Sequence, residues 1–241
     1  MFSLKVPYVQ DVAPEVAGER ALLLMLPGAK NTPQQLVEHG FICALRERRL
    51  PVDVLALDAP VDLYLERADI EQVLLHTLDE VSARGYRRIW LFGISLGGSG
   101  AMIAATRRGS EVAGVFLLAP FLGTRGIIAE VAAAGGLSHW RPGEVAERDH
   151  ERALLDDLRN GLCVASELPP IYLGYGSEDR YRGASLMLAA RLPARQVVEC
   201  SGGHDWATWL QLWHVLLEQA AGGGWPFAAP AVDPDTCEVL R

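Results

Sequence analysis

Residues 93 to 97 read Gly-Ile-Ser-Leu-Gly. They follow the short apolar run Ile89 to Phe92 and precede a small-residue helical pattern from Gly98 to Ala105. A strand, a sharp turn and a helix are the setting in which Gly-x-Ser-x-Gly presents a serine hydroxyl above a sheet. The turn strains the backbone of its central residue, and glycines two positions to either side remove Cβ atoms that would collide there. The helix starting after Ser95 brings its N-terminal amides to the same spot, which favours developing negative charge. The pattern is that of a nucleophilic serine. The five-residue motif alone also occurs in ordinary loops, so the reading rests on the strand before it and the helix after it.

A serine hydroxyl is a weak nucleophile until a base takes its proton. Of the six histidines, His204 lies in Ser201-Gly202-Gly203-His204-Asp205-Trp206, a glycine-rich turn between the final predicted strand and the final helix. His39, His76 and His214 fall inside helical patterns, and His139 and His150 fall in an irregular segment. His204 is therefore the candidate base. A carboxylate must hold its tautomer and stabilise the imidazolium. Asp179 is the leading candidate, in Gly174-Tyr175-Gly176-Ser177-Glu178-Asp179, with Glu178 beside it as an alternative. Asp205 suits a helix N-cap better than a bond to its neighbour's ring. The oxyanion needs backbone N–H donors. Leu96, directly after the serine, is one. The other is expected in Pro27-Gly28-Ala29-Lys30; proline has no N–H, so Ala29 is the candidate and Gly28 permits close approach of substrate.

These residues must be carried on elements that bring them to one place. Apolar strands are predicted at 21–26, 52–57, 89–92, 112–119, 171–175 and 196–200. Helices are predicted from Thr32-Pro33 to about Arg48, at 68–83, after Ser95, at 180–190 and at 206–219. Thr32 suits an N-cap and Pro33 the first helical position. Continuous apolar strands alternating with helices imply an α/β fold, a mostly parallel sheet covered on both faces. The segment 121–168 breaks this rhythm with Gly- and Ala-rich pieces and a charged helical pattern at 144–159. An insertion after strand 112–119 falls over the sheet's carboxyl edge and reads as a small helical lid, part of which must be a crossover helix. Phe121, Leu122, Ile127, Ile128, Leu137 and Trp140 are candidates to wall an acyl pocket, with Trp140 as a substrate contact; core packing of the insertion is the competing role. Tyr64, Arg67, Thr124 and Arg125 are candidates for its entrance. Residues 222–241, rich in Gly, Pro and Ala, read as a surface tail.

With the order Ser95, Asp179, His204, the chain resembles the α/β-hydrolase superfamily over about residues 21 to 219. Gly-Ile-Ser-Leu-Gly-Gly is similar to the family's nucleophile elbow, Gly-Ser-Glu-Asp to its acid loop and Gly-Gly-His to its histidine loop. Pro27-Gly28-Ala29 stands where many lipases carry a His-Gly-Gly motif, a departure that argues against lipases in particular. The resemblance implies one domain, a parallel sheet of roughly seven or eight strands, an esterase-type triad and no cofactor or metal. It implies hydrolysis of a carboxylic ester first and of a thioester next. An acyltransferase would keep the triad and admit another acceptor, and a binding protein of this fold would have lost a triad member.

Composition bounds the partners. The chain has 241 residues, half of them hydrophobic, and a formal charge of −8. That balance argues against nucleic acid and against an anionic membrane surface. The longest apolar run, Val112 to Leu122, is about half of what a membrane-spanning helix needs. The N-terminus shows no basic stretch followed by an apolar run, so no signal peptide is expected. Cys43, Cys163, Cys200 and Cys237 are scattered without metal-ligand spacing, which suits free thiols in the cytoplasm. The expected partner is a small ester or acyl substrate; no oligomeric state follows from the sequence.

Overall fold

A computed structural model describes residues 2–14, 21–163 and 168–222. The strands are β1 (Tyr8–Asp11), β2 (Ala21–Leu26), β3 (Val52–Leu57), β4 (Arg88–Ile94), β5 (Val112–Leu118), β6 (Ile171–Gly176) and β7 (Val197–Cys200). They form one sheet in the order β1-β3-β2-β4-β5-β6-β7, parallel except for β1, which runs antiparallel to β3. The helices are α1 (Pro33–Glu38), α2 (Phe41–Glu47), α3 (Arg67–Ala83), α4 (Leu96–Arg108), α5 (Arg125–Ala133), α6 (His150–Cys163), α7 (Arg182–Ala189) and α8 (Trp206–Gly222).

The interior strands are apolar on both faces because both faces are covered. In β2 and β3 every residue is buried. One face packs with α3, α4, α5 and α6 through Leu74, Leu78, Met102, Val131 and Leu155. The other packs with α1, α2 and α8 through Leu36, Phe41, Leu45 and Trp213. On that second face Phe92 and Phe116 meet Trp213 edge-on, with ring centroids 4.9 and 5.2 Å apart. Among the described residues no helix is long and apolar enough to cross a membrane.

The strand order fixes where a site can form. From β2 the chain steps outward to β3, then returns across β2 to place β4 on its other side. Connections from β2 and β4 therefore leave the carboxyl edge in opposite directions, and a crevice opens between them. The loops after β2, β4, β6 and β7 all leave by that same edge, because these strands are parallel. Those loops carry Ala29, Ser95, Asp179 and His204.

Two predicted helices differ, and one strand is unpredicted. The single helix expected over 32–48 is two, because Gly40 adopts a left-handed conformation (φ 84°) that ends one and starts the next. The charged helix expected at 144–159 begins at His150, where Asp149 accepts from the Arg152 backbone N–H at 3.1 Å. β1, four residues on the sheet edge, was not anticipated. α6 precedes β6 and buries Leu154, Leu155 and Leu158 in the same core cluster as α3 and α4, so this part of the insertion is a crossover helix. Of the tail expected at 222–241, residues 223–241 lie outside the described residues.

Candidate active site

Ser95 stands between the last residue of β4 and the first of α4, with φ 50° and ψ −116°. A non-glycine residue there is strained, and the surroundings hold it. Its N–H donates to Leu118 O at 3.0 Å, and its carbonyl accepts from Gly98 N and Phe121 N, each at 2.9 Å. The turn closes only with glycine on both sides. A Cβ on residue 93 would lie 2.3 Å from Gly97 O, and one on residue 97 would lie 2.2 Å from Leu26 O.

His204 Nε2 lies 2.9 Å from Ser95 Oγ, and its Nδ1 lies 2.7 Å from Asp179 Oδ2. A carboxylate only accepts, so this network assigns the proton to Nδ1 and leaves Nε2 to accept from the serine hydroxyl. The Asp179 side chain is fully buried, and its second oxygen accepts from the Tyr181 N–H at 2.7 Å. The acid and histidine loops are held together by backbone: Ser177 N donates to Cys200 O at 2.8 Å and Glu178 N to Gly202 O at 3.0 Å. Glu178 is exposed and takes no part in the network. Asp205 takes the N-cap role: its Oδ1 accepts from Thr208 N at 3.0 Å, which with further backbone N–H groups holds its carboxyl below the usual aspartate range.

The imidazole is enclosed by two aromatic rings. Tyr181 and Trp209 each meet it edge-on, with centroids 4.9 Å away. They restrict its rotation. A cleft of about 360 Å³ lies over Ser95 and His204, bounded by Ala29, Asn31, Arg180, Tyr181, Trp206 and Trp209. Sequence reasoning did not single out Asn31, Arg180, Tyr181, Trp206 or Trp209. Trp206 and Trp209 had a signal: they sit three apart in the first turn of the helix after His204, so they share one face of that helix.

Ala29 lines this cleft in the loop after β2. Gly28 lies against the serine, since a Cβ at 28 would be 3.4 Å from Ser95 Cβ. Leu96 is the first residue of α4, so its N–H has no carbonyl partner one turn back in the helix. Its side chain faces a second cavity of about 580 Å³, shared with Tyr64, Arg67 and Phe121. The candidate substrate contact Trp140 is corrected: it is buried in the insertion's core and its Nε1–H donates to Glu130 Oε1 at 2.9 Å, so it lines neither cavity. Leu122 and Ile127 are buried in the core cluster, and Leu122 also borders the second cavity. At the expected entrance, Arg67 is ion-paired with Asp157, and Thr124 hydrogen-bonds Glu151 through both its N–H and its hydroxyl at 2.8 Å. Among the described residues no group of three or more His, Cys, Asp or Glu is arranged to hold a metal.

No protein-family model matches the chain, and no curated protein matches it. Solved structures do. An S-formylglutathione hydrolase from Staphylococcus aureus superposes with a TM-score of 0.62 at 17% identity, covering 85% of this chain and 83% of that one. A fluorophosphonate-binding serine hydrolase from the same organism gives 0.64 at 15%, covering 90% and 93%. A carboxylesterase from Bacillus subtilis gives 0.56 at 15%, covering 90% and 88%. The seven-stranded sheet, its order and these likenesses define the α/β-hydrolase fold for this chain.

Proposed function

We propose that this chain is a serine hydrolase that cleaves a carboxylic ester through an acyl-enzyme on Ser95. The observation that carries the reading is the unbroken relay from Ser95 Oγ through His204 to the buried Asp179, with 2.9 and 2.7 Å links. In this reading His204 Nε2 accepts the Ser95 proton as Oγ attacks the ester carbonyl. The oxyanion meets the N–H groups of Leu96 and Ala29 at the head of α4. His204 then passes its proton to the leaving alcohol. Water enters, gives a proton to the same nitrogen and attacks the acyl-serine, which frees the acid and returns the proton to Ser95. Asp179 stabilises the imidazolium of each half-reaction without itself being protonated. The chemistry asks for no metal and no organic cofactor. The three described cysteines, Cys43, Cys163 and Cys200, are free thiols, which suits a reducing cytoplasm.

The serine hydrolases among the structural neighbours support this class of reaction. The test is hydrolysis of p-nitrophenyl butanoate, with a matched thioester alongside, by the native protein and by Ser95→Ala. Ester cleavage that vanishes in the variant supports the reading. Equal activity in the two proteins removes Ser95 as nucleophile, and faster cleavage of the thioester reassigns the leaving group.

A further inference from the structure

α5 and α7 lie side by side, close enough that a Cβ on Gly183 would sit 3.4 Å from Ile128 Cγ2. Between them and the turn that follows α5 runs a groove of about 680 Å³, a size usual for small-molecule sites. Its apolar wall comes from Ile128, Ala132, Leu137, Ala184 and Met187. Among the described residues no Asp or Glu lines it. The groove adjoins the Ser95 cleft: Arg180 and Tyr181 border both. From Tyr181 it follows α7 to Ala190, a helical path of about 13 Å.

We propose that this groove receives the acyl chain of the substrate, an unbranched hydrocarbon chain of medium length lying along α7 with its carbonyl at Ser95. The inference rests on the ester-cleaving reading of Ser95 and adds the substrate class. The cavity beside Leu96 is the competing place, but it is lined by Arg67, Asp149, His150 and Glu151. A hydrocarbon there would cover charged groups and strip their water. The α5–α7 groove is also bordered by Arg125, His139, Arg180 and Arg191, but none of its described lining residues is a carboxylate, and Ile128, Ala132, Leu137, Ala184 and Met187 give a hydrocarbon an apolar wall to cover. Arg180 at the junction forms no ion pair among the described residues, so the carboxylate of the released acid meets a cation on its way out.

The experiment compares kcat/KM for p-nitrophenyl butanoate and octanoate in the native protein, Ala132→Trp and Met187→Gln. Ala132 is exposed on α5, so tryptophan there fills the groove without entering the core. Met187→Gln keeps the side-chain length and removes its apolar character. The native octanoate-to-butanoate ratio is expected to exceed tenfold, burial of each methylene supporting up to about fourfold. Both variants are expected to reduce it below threefold. A high ratio that neither variant changes puts the chain elsewhere and overturns the proposal. A flat native profile with Ser95-dependent cleavage also overturns it, while leaving the ester reading in place. If no ester is cleaved, that reading fails, and calorimetric binding of octanoate to Ser95→Ala decides the groove. Binding weakened at least tenfold by adding Ala132→Trp keeps it as an acyl site; unchanged or absent binding overturns it.

Discussion

Gly97 packs so closely against Leu26 that a methyl group at position 97 would lie 2.2 Å from the Leu26 carbonyl oxygen. The first turn of α4 is thereby seated on the end of β2, and Ser95 is brought beside the loop that carries Ala29. Backbone cannot yield as the tip of a side chain can. Gly97→Ala is expected to cost at least about 2 kcal/mol of stability, the scale of overpacking, and to abolish ester cleavage. Thermal unfolding and a p-nitrophenyl butanoate assay check it. A stable, fully active variant would mean the elbow is looser than described.

Asp179 and Glu178 are adjacent carboxylates in opposite surroundings, one buried on His204 and the other exposed. Asp179→Asn keeps the shape but can turn an N–H toward Nδ1, which favours the wrong histidine tautomer. The expected loss in kcat is about 10⁴-fold, the scale known for such triads. Glu178→Gln is expected to stay within about twofold of native, an exposed carboxylate contributing little to distant charge. Steady-state kinetics on the two variants decide between the carboxylates; the reverse pattern would reassign the acid.

Asp205 caps α8, and its folded-state pKa lies below the ordinary aspartate value, chiefly through the Thr208 N–H. A depressed carboxyl contributes stability that is present above its ordinary pKa of 3.8 and is lost as pH falls through the lower folded value. Asp205→Ala should cost about 1 kcal/mol at neutral pH. The difference between native and variant should narrow below that ordinary pKa. Urea unfolding at neutral and at acid pH measures it; a gap that widens in acid would contradict the capping role.

The Tyr64 hydroxyl is buried against Gly100 with no hydrogen-bond partner among the described residues, and burial pushes its pKa upward. A buried donor without a partner carries a desolvation cost. Tyr64→Phe is therefore expected to leave stability unchanged or raise it by up to about 1 kcal/mol. A fall of that size or more in calorimetry would show that the hydroxyl has a partner in solution.

The parts of the site legible in the sequence are those that backbone chemistry dictates. Gly93 and Gly97 announce a turn that only glycine closes, and the strand and helix around it follow from an apolar run and small residues. The order of Ser95, Asp179 and His204 follows from where strands end. Asp205 was readable as a cap because its partner is local. What pattern could not supply is anything set by distant packing. Trp140 looked like a pocket wall because it is large and apolar, yet Glu130, ten residues away, satisfies its indole and holds it in the core. Tyr181 flanks His204 from the loop after β6 and Trp209 from the first turn of α8, a proximity created by the β6–β7 pairing. Gly40 was legible as a helix break only in hindsight of its left-handed φ, since glycine inside a helical pattern is tolerated often enough to pass. β1 is too short for its pattern to register.

The most direct measurement is reaction of the native protein with a fluorophosphonate, followed by mass spectrometry of the intact chain and its peptides. The account predicts one phosphonyl adduct per chain, located on Ser95, absent in Ser95→Ala and strongly slowed in His204→Ala. An adduct on another residue, or labelling of Ser95 that proceeds equally well without His204, would contradict a hydroxyl activated by the Ser95, His204 and Asp179 relay.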